Sequence, residues 1–282
     1  MPRSQKISDT AVSFPHTPRK RFGQNFLADR NILKKIAAAA ELATTDVVLE
    51  IGPGLGHLTR ALAESGARVA AVEVDRDLFH TLQREFENTR NVHVLEGDVL
   101  QVPPSEWLAR AGLEPPYAVV ANIPYYITSA ILRYLLEADI PPTRIVVLVQ
   151  REVAQQLVAQ PPHANLLGVS VQYYGTPRIV GVVPAGAFHP RPKVDSAIVR
   201  VDVSPARSRE HAGHFFRVVR AGFGEKRKQL GNALAHGLKL TSARAQWLLA
   251  RAHIDPTRRA ETLALGEWEM LARVWSENFS ER

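Results

Sequence analysis

The 282-residue sequence predicts an α/β fold, a doubly wound and mostly parallel seven-stranded sheet followed by a small all-helical C-terminal domain. Three observations carry this. Short apolar runs alternate with helix-period segments over the first half of the chain, as in a parallel sheet covered on both faces. The runs "RIVGVV" and "SAIVRVDV" then lie close together with no long helix between them, so they should close the sheet as an antiparallel pair. Beyond residue 204 every periodic segment is helical.

Taken in order, residues 1–18 are rich in Pro, Ser and Thr without an apolar period, which predicts a disordered tail. A first domain is expected over 19–203. It runs through helix "ILKKIAAAAELA", strand "VVLEI", helix "HLTRALAESG", strand "RVAAVEV", helix "RDLFHTLQREF" and strand "VHVLEGD". Strand "YAVVAN", a helix over 127–138, strand "RIVVLVQ", helix "REVAQQLVAQ" and a helix over 164–174 follow, before the closing pair. "SPARSR" reads as a linker. A second domain over 204–282 holds the helices "HFFRVVRAGF", "KQLGNALAHGL", "SARAQWLLARA" and "LGEWEMLARVW".

Composition narrows the function. No segment has the roughly 18 uncharged apolar residues of a membrane span, and the N-terminus lacks a secretory apolar region, so a cytoplasmic protein is expected. Without cysteine there is no disulfide or thiolate metal site, and the ten histidines lack metal-binding spacing, so no metal is expected. The net charge of +7 is unevenly spread: residues 1–35 and 203–282 each carry +6, and the segment between them carries −5. Basic flanks around an acidic body suit a polyanion-binding surface outside a site for something neutral or cationic.

The strand-to-helix turn "EIGPGLGHL" holds Gly52, Gly54 and Gly56, which would let a ligand approach the backbone and the helix N-terminus. The G-x-G-x-G spacing differs from the G-x-G-x-x-G of nicotinamide enzymes. Glu73 ends the second strand, 21 residues after Gly52, where a carboxylate can accept both hydroxyls of a ribose. Asp98, after the third strand, can accept from an adenine amino group or cap a helix. Three such stations without a phosphate clamp describe an adenosine-containing ligand. S-adenosylmethionine fits them best.

The fourth strand ends in "NIPYY". This stretch resembles the N-[LI]-P-[YF] signature of methyltransferases acting on exocyclic amino groups of bases. With "KRFGQNFL" at 20–27, "EIGPGLGHLT" at 50–59, "GD" at 97–98, "FHPRPKVDSAIVRV" at 188–201 and "FGEKRKQLGNAL" at 223–234, the chain resembles the bacterial small-subunit (16S) ribosomal RNA adenine N6-dimethyltransferases, the kasugamycin-sensitivity family. The resemblance spans about residues 19–275. It implies a Rossmann-like methyltransferase fold over 19–203 with a helical RNA-binding domain over 204–282, S-adenosylmethionine as cofactor, and transfer of methyl groups to two adjacent adenosines near the 3′ end of small-subunit RNA, with small-subunit RNA or the immature subunit as partner and a monomeric enzyme. It also implies that Asn25, Leu27, Gly52, Glu73, Asp98 and Asn122 contact the cofactor.

The reacting group would be an adenine amine, whose lone pair is delocalised into the ring. The Asn122 side-chain oxygen and the Ile123 carbonyl can accept its two N–H bonds, with Pro124 fixing where that carbonyl points. Tyr125 would stack on a base taken out of its helix, with Phe188 as the opposing wall. Tyr126 is expected to be packing. Lys226, Arg227 and Lys228, with Lys20 and Arg21, are expected on RNA phosphate, although Glu225 departs from the family's usual residues there. The "PRPKVDS" stretch with Lys193 reads as a rigid loop. Two rivals remain: the antibiotic-resistance branch acting on large-subunit RNA, which shares the Ile after Asn, and a non-catalytic RNA-binding factor on the same fold.

Overall fold

A computed structural model describes residues 19, 23–27, 29–204 and 211–279. The expected tail at 1–18, the basic pair Lys20 and Arg21, and most of the expected linker lie outside the described residues.

The strands that form the sheet are those with unbroken apolar runs. β2 (Val47–Ile51), β3 (Arg68–Glu73), β5 (Ala118–Asn122) and β6 (Arg144–Gln150) are buried almost throughout, as befits strands covered on both faces. β4 (Val92–Glu96) is half-exposed at one edge. β7 (Gly175–Val183) and β9 (Ser196–Val203) complete seven strands in the order β4-β3-β2-β5-β6-β9-β7. The first five pair in parallel, and β9 pairs antiparallel with both β6 and β7. The expected antiparallel closing pair is therefore present. A bulge between Ile179 and Gly181 interrupts it.

Alternate residues of the central strands feed two cores. On one face Val48, Val69, Val120 and Val146 pack under α1 (Arg30–Ala39), α2 (His57–Glu64) and α3 (Arg76–Phe86). On the other, Leu49, Val119 and Val147 pack under α4 (Pro104–Arg110), α5 (Thr128–Leu136), α6 (Arg151–Val158) and α7 (Leu166–Tyr174). Side-chain caps start several of these helices: Asp29 accepts from the Asn31 and Ile32 amides, Asp75 from Asp77, and Asn165 from Gly168. Each cap is worth about 1 kcal/mol.

The C-terminal helices α8 (Ala212–Phe223), α9 (Leu230–Gly237), α10 (Ser242–Arg251) and α11 (Leu265–Phe279) match the four expected segments. They continue the second core. Tyr173 at the end of α7 stacks on Phe215 of α8 at 4.1 Å, and Phe216 meets Tyr174.

Strands run outward in both directions from the boundary between β2 and β5. That boundary is the topological switch point, and an open α/β sheet has its ligand crevice there, beyond the carboxyl ends of the strands. Ile51 is paired with Ala121, so the glycine turn and Asn122 leave the sheet side by side. One feature of the crevice has no signature in the apolar pattern. Residues Phe26–Leu27 (β1) pair antiparallel with Phe188–His189 (β8), bringing the "QNFL" and "FHPRP" stretches together above it.

Candidate active site

The crevice at the switch point encloses about 1070 Å³ of empty space, counting its open mouth. Its walls include Asn25, Leu27, Gly52, Gly54, Glu73, Asp98, Asn122, Ile123, Pro124 and Tyr125, so ten of the residues singled out in the sequence converge. Gly56, Phe188, Lys226, Arg227 and Lys228 do not line it.

The three glycines divide their work. Gly52 has φ +66°, and a Cβ there would meet nothing within 4 Å, so its open side belongs to the crevice. At Gly54, φ +60°, a Cβ would lie 3.2 Å from the Phe26 ring, which lies against the turn. Gly56, φ +74°, begins α2, and a Cβ there would come within 2.8 Å of Leu82 and 3.0 Å of Phe86 on α3. Its observed task is helix packing.

Glu73 holds the glycine turn to the end of β3. One carboxylate oxygen accepts from the Gly54 amide at 3.0 Å, the other from the Asp75 amide at 2.9 Å. Burial raises its pKa and those amide bonds partly counter the rise. Each oxygen keeps acceptor capacity toward the crevice. Asp98 caps a short turn by accepting from the Leu100 amide at 3.0 Å, and it also lines the crevice.

Glu50 was not among the expected residues. It is fully buried in β2, lines the crevice, and neither carboxylate oxygen has a hydrogen-bond partner among the described residues. Desolvation pushes its pKa up to about 8; the neighbouring Thr59 hydroxyl counters the rise and the Glu73 charge adds to it. An orphaned buried carboxyl on a crevice wall suits a cationic ligand. The signal was legible: a single acid inside the otherwise apolar run "VVLEI".

At the end of β5 the Asn122 Nδ2 donates to the Asn25 main-chain carbonyl at 3.1 Å. The donor half of the amide is thereby committed and the Oδ1 half is left as an acceptor. Asn25 itself donates from Nδ2 to the Gly23 carbonyl at 3.1 Å, bracing the segment that supplies that carbonyl. Arg19 ion-pairs with Asp75 and Asp77, and Gln24 donates to Asp75, so the N-terminal segment is strapped to the start of α3. Ile123 turns its side chain into the core, and Pro124 opens a short 3-10 turn over Tyr125–Ile127. The Tyr125 hydroxyl and the buried Ser196 Oγ at the start of β9 lie 2.6 Å apart in a hydrogen bond. That bond fixes the ring at the crevice mouth.

Two placements correct the sequence reading. Tyr126, expected to be packing, is 66% exposed, with its ring edge against Gly23 at the crevice rim. The 3-10 turn projects consecutive side chains about 120° apart, so one tyrosine turns to Ser196 while the next faces solvent. Phe188, expected as an aromatic wall, is buried in the first core opposite Leu27 in the β1–β8 pair. It reaches the crevice only by holding Leu27, whose carbonyl meets His57 Nδ1 at 2.9 Å. Lys226, Arg227 and Lys228 lie exposed in the turn between α8 and α9, where Lys228 pairs with Glu225 at 3.2 Å.

Comparison with known proteins matches residues 15–276 to the family model "Ribosomal RNA adenine dimethylase". A ribosomal RNA small subunit methyltransferase A from Dehalococcoides mccartyi is 48% identical over 92% of this chain and 89% of its own length. The protein of the same description from Moorella thermoacetica is 43% identical over 91% and 92%. Among solved structures, the 23S rRNA methyltransferase ErmE is 29% identical with TM-score 0.70, covering 89% of this chain and 99% of that one. A dimethyladenosine transferase from Plasmodium falciparum shares the fold, with TM-score 0.76 at 23% identity over 89% and 98%.

Proposed function

The chain belongs to the ribosomal RNA adenine dimethylase family, and on that premise we propose how its crevice carries out the reaction. The protein is a methyltransferase that uses S-adenosylmethionine and acts on small-subunit ribosomal RNA. Its target is the exocyclic amino groups of two adjacent adenosines near the 3′ end, modified as the subunit matures. It works as a monomer in the cytoplasm. No helix among the described residues is long and apolar enough to cross a membrane.

When bound, S-adenosylmethionine supplies an electrophilic methyl group on a sulfonium. The crevice fits such a ligand because it pairs two buried carboxyl groups, Glu50 and Glu73, with an open glycine turn. Glu73 takes the ribose hydroxyls on its remaining lone pairs. Asp98 accepts from the adenine amine, Gly52 and Gly54 admit the ligand to the backbone, and Asn25 and Leu27 close over it. Glu50 faces its positive charge.

On the substrate side, Asn122 Oδ1 and the Ile123 carbonyl accept the two N–H bonds of the adenine amine. This favours a pyramidal nitrogen whose lone pair can reach the methyl group, and most of the acceleration comes from alignment. No strong base is required, since the amine becomes acidic once alkylated and loses its proton afterward. Tyr125 stacks on the extruded base. Lys226, Arg227 and Lys228 contact RNA phosphate away from the crevice.

The observation that supports this reading is the bond from Asn122 Nδ2 to the Asn25 carbonyl, because it engages the nitrogen end of the amide and leaves Oδ1 as an acceptor on a residue of the crevice wall. The large-subunit alternative shares "NIPY", but similarity at 48% and 43% favours the small-subunit substrate over the 29% likeness to ErmE. The test is incubation of unmethylated small and large subunits with labelled methyl donor, followed by mapping of the modified bases, for the natural chain and Asn122→Ala. Label on two adjacent small-subunit adenosines is expected. Asn122→Ala should lose about 100-fold or more in turnover, as for removal of a group that acts in the transition state, and far less in cofactor affinity. Label on large-subunit RNA would overturn the substrate, and equal losses in turnover and cofactor affinity would overturn the role of Asn122.

A further inference from the structure

Away from the crevice, α8, α10 and α11 bring three arginines onto three aromatic rings. Trp275 and Phe279 on α11 stack at 4.9 Å with planes 4° apart, and Trp247 on α10 meets Phe279 edge-on at 6.0 Å. The guanidinium of Arg217 lies 5.2 Å over Trp275, that of Arg244 5.6 Å over Phe279, and that of Arg251 5.4 Å over Trp247. All three arginines are exposed, and none makes an ion pair among the described residues. Trp247 is 41% exposed.

Elsewhere Arg110, Arg133 and Arg258 each have a carboxylate within 2.8 Å. Arg110 also lies over a ring, that of Trp107 at 4.7 Å, but it pairs with Glu106 at 2.6 Å. Arg217, Arg244 and Arg251 lie over rings with no carboxylate partner among the described residues, so their guanidinium N–H groups can take an added acceptor. Such groups match phosphate oxygens bidentately. Trp247, with Arg251 over its ring, adds a part-exposed indole against which a base can stack. An acidic protein segment would satisfy the charges but would leave the indole face without a matching partner.

We propose that this face is a second RNA-contacting surface, which takes the phosphodiester backbone on Arg217, Arg244 and Arg251 and one unpaired base on Trp247. It rests on the ribosomal RNA reading of the function, and it is separate from both the crevice and the Lys226–Lys228 turn. Arg217 stands in the middle of α8, about 9 Å along its axis from Phe223, where that turn begins. RNA following both would lie along the C-terminal helices.

The test compares the full-length natural chain, the triple variant R217A/R244A/R251A and W247A in binding to naked small-subunit RNA and to intact small subunits across a salt series. Cofactor affinity and melting temperature are measured on each to establish that the variants fold. The triple variant should lower the slope of log affinity against log salt by about 2, at roughly 0.7–0.9 for each phosphate it no longer neutralises. W247A should weaken binding about tenfold, within the range for one stacked base, and leave the slope in place. Unchanged affinity and slope in the folded triple variant would overturn the proposal. So would a loss confined to intact subunits with naked RNA unaffected, which would assign the face to a ribosomal protein. Failure of the natural chain to methylate small-subunit RNA would count against the function, while the salt slopes would still report on this face.

Discussion

Glu50 sits where a carboxyl group is least comfortable, in the middle of a buried strand with neither oxygen bonded among the described residues. Its pKa is raised from an ordinary 4.5 to about 8, so the unfolded chain releases the proton near the first value and the folded chain only near the second. Between them the folded state holds the extra proton, and stability falls as pH climbs through that window. Glu50→Gln removes the ionisation while keeping the shape. The ligand-free variant should melt higher than the natural chain at pH 8, the two should converge toward pH 5, and S-adenosylmethionine should bind the variant more weakly. Thermal melts at a series of pH values, with calorimetric titration at pH 8, would check this; parallel pH profiles for the two proteins would refute it. At this scale the sequence was readable wherever a residue's chemistry was unusual for its setting. Asn122 after an apolar run and Glu73 at a strand end announced themselves. Tyr126 did not, because a tyrosine has an apolar body and a polar tip and the pattern reads equally well with either end inward.

The elements follow from period and from punctuation, and they were legible in proportion to their length. A five-residue β-branched-rich run such as "VVLEI", too short for a helix and closed by glycines, reads as a buried strand, whereas the two-residue strands β1 and β8 are too short to have a period at all. Hence the pairing of Leu27 with Phe188, which brings the N-terminal segment over the crevice and buries Phe188, emerged only with tertiary structure. The glycine turn makes the same point. Three glycines in a row of alternate positions look like one ligand-binding device, yet only Gly52 is open on its Cβ side. Gly56→Ala combines a left-handed backbone with contacts of 2.8 and 3.0 Å to Leu82 and Phe86, so it should cost about 2–3 kcal/mol. Gly52→Ala carries only the backbone cost, about 1 kcal/mol, and should instead weaken cofactor binding. Melting temperatures and cofactor titrations of the two variants would separate them. A Gly56→Ala protein as stable as the natural chain would remove the packing role.

At the scale of the molecule, the periodic segments predicted a sheet domain and a helical domain, with a boundary near residue 204. Among the described residues the last strand ends at Val203 and every later long element is helical, yet one core runs through both parts. Tyr173 and Tyr174 of α7 interleave with Phe215 and Phe216 of α8, and all four are buried. The backbone also crosses: the Ala164 amide donates to the Glu261 carbonyl at 3.0 Å. Sequence periodicity reports which face of a helix is apolar, not what that face meets, so this continuity was beyond its reach. An interface built like a domain interior should unfold with the domains it joins rather than as a hinge between them. Far-UV circular dichroism, which follows all the helices, and tryptophan fluorescence, which follows Trp107 beside the sheet and Trp268 and Trp275 among the C-terminal helices, should therefore report one coincident melt. Phe215→Ala should lower it by the roughly 3–5 kcal/mol typical of a deleted buried ring. If α8–α11 were instead a separately stable unit, that substitution would split the melt in two, with the change in Trp107 fluorescence staying at the temperature of the natural chain. The joined core bears on the proposed function, because RNA bound along the C-terminal helices as proposed would be held at a fixed distance from Asn122, and positioning of that kind is what methyl transfer without a strong base would depend on.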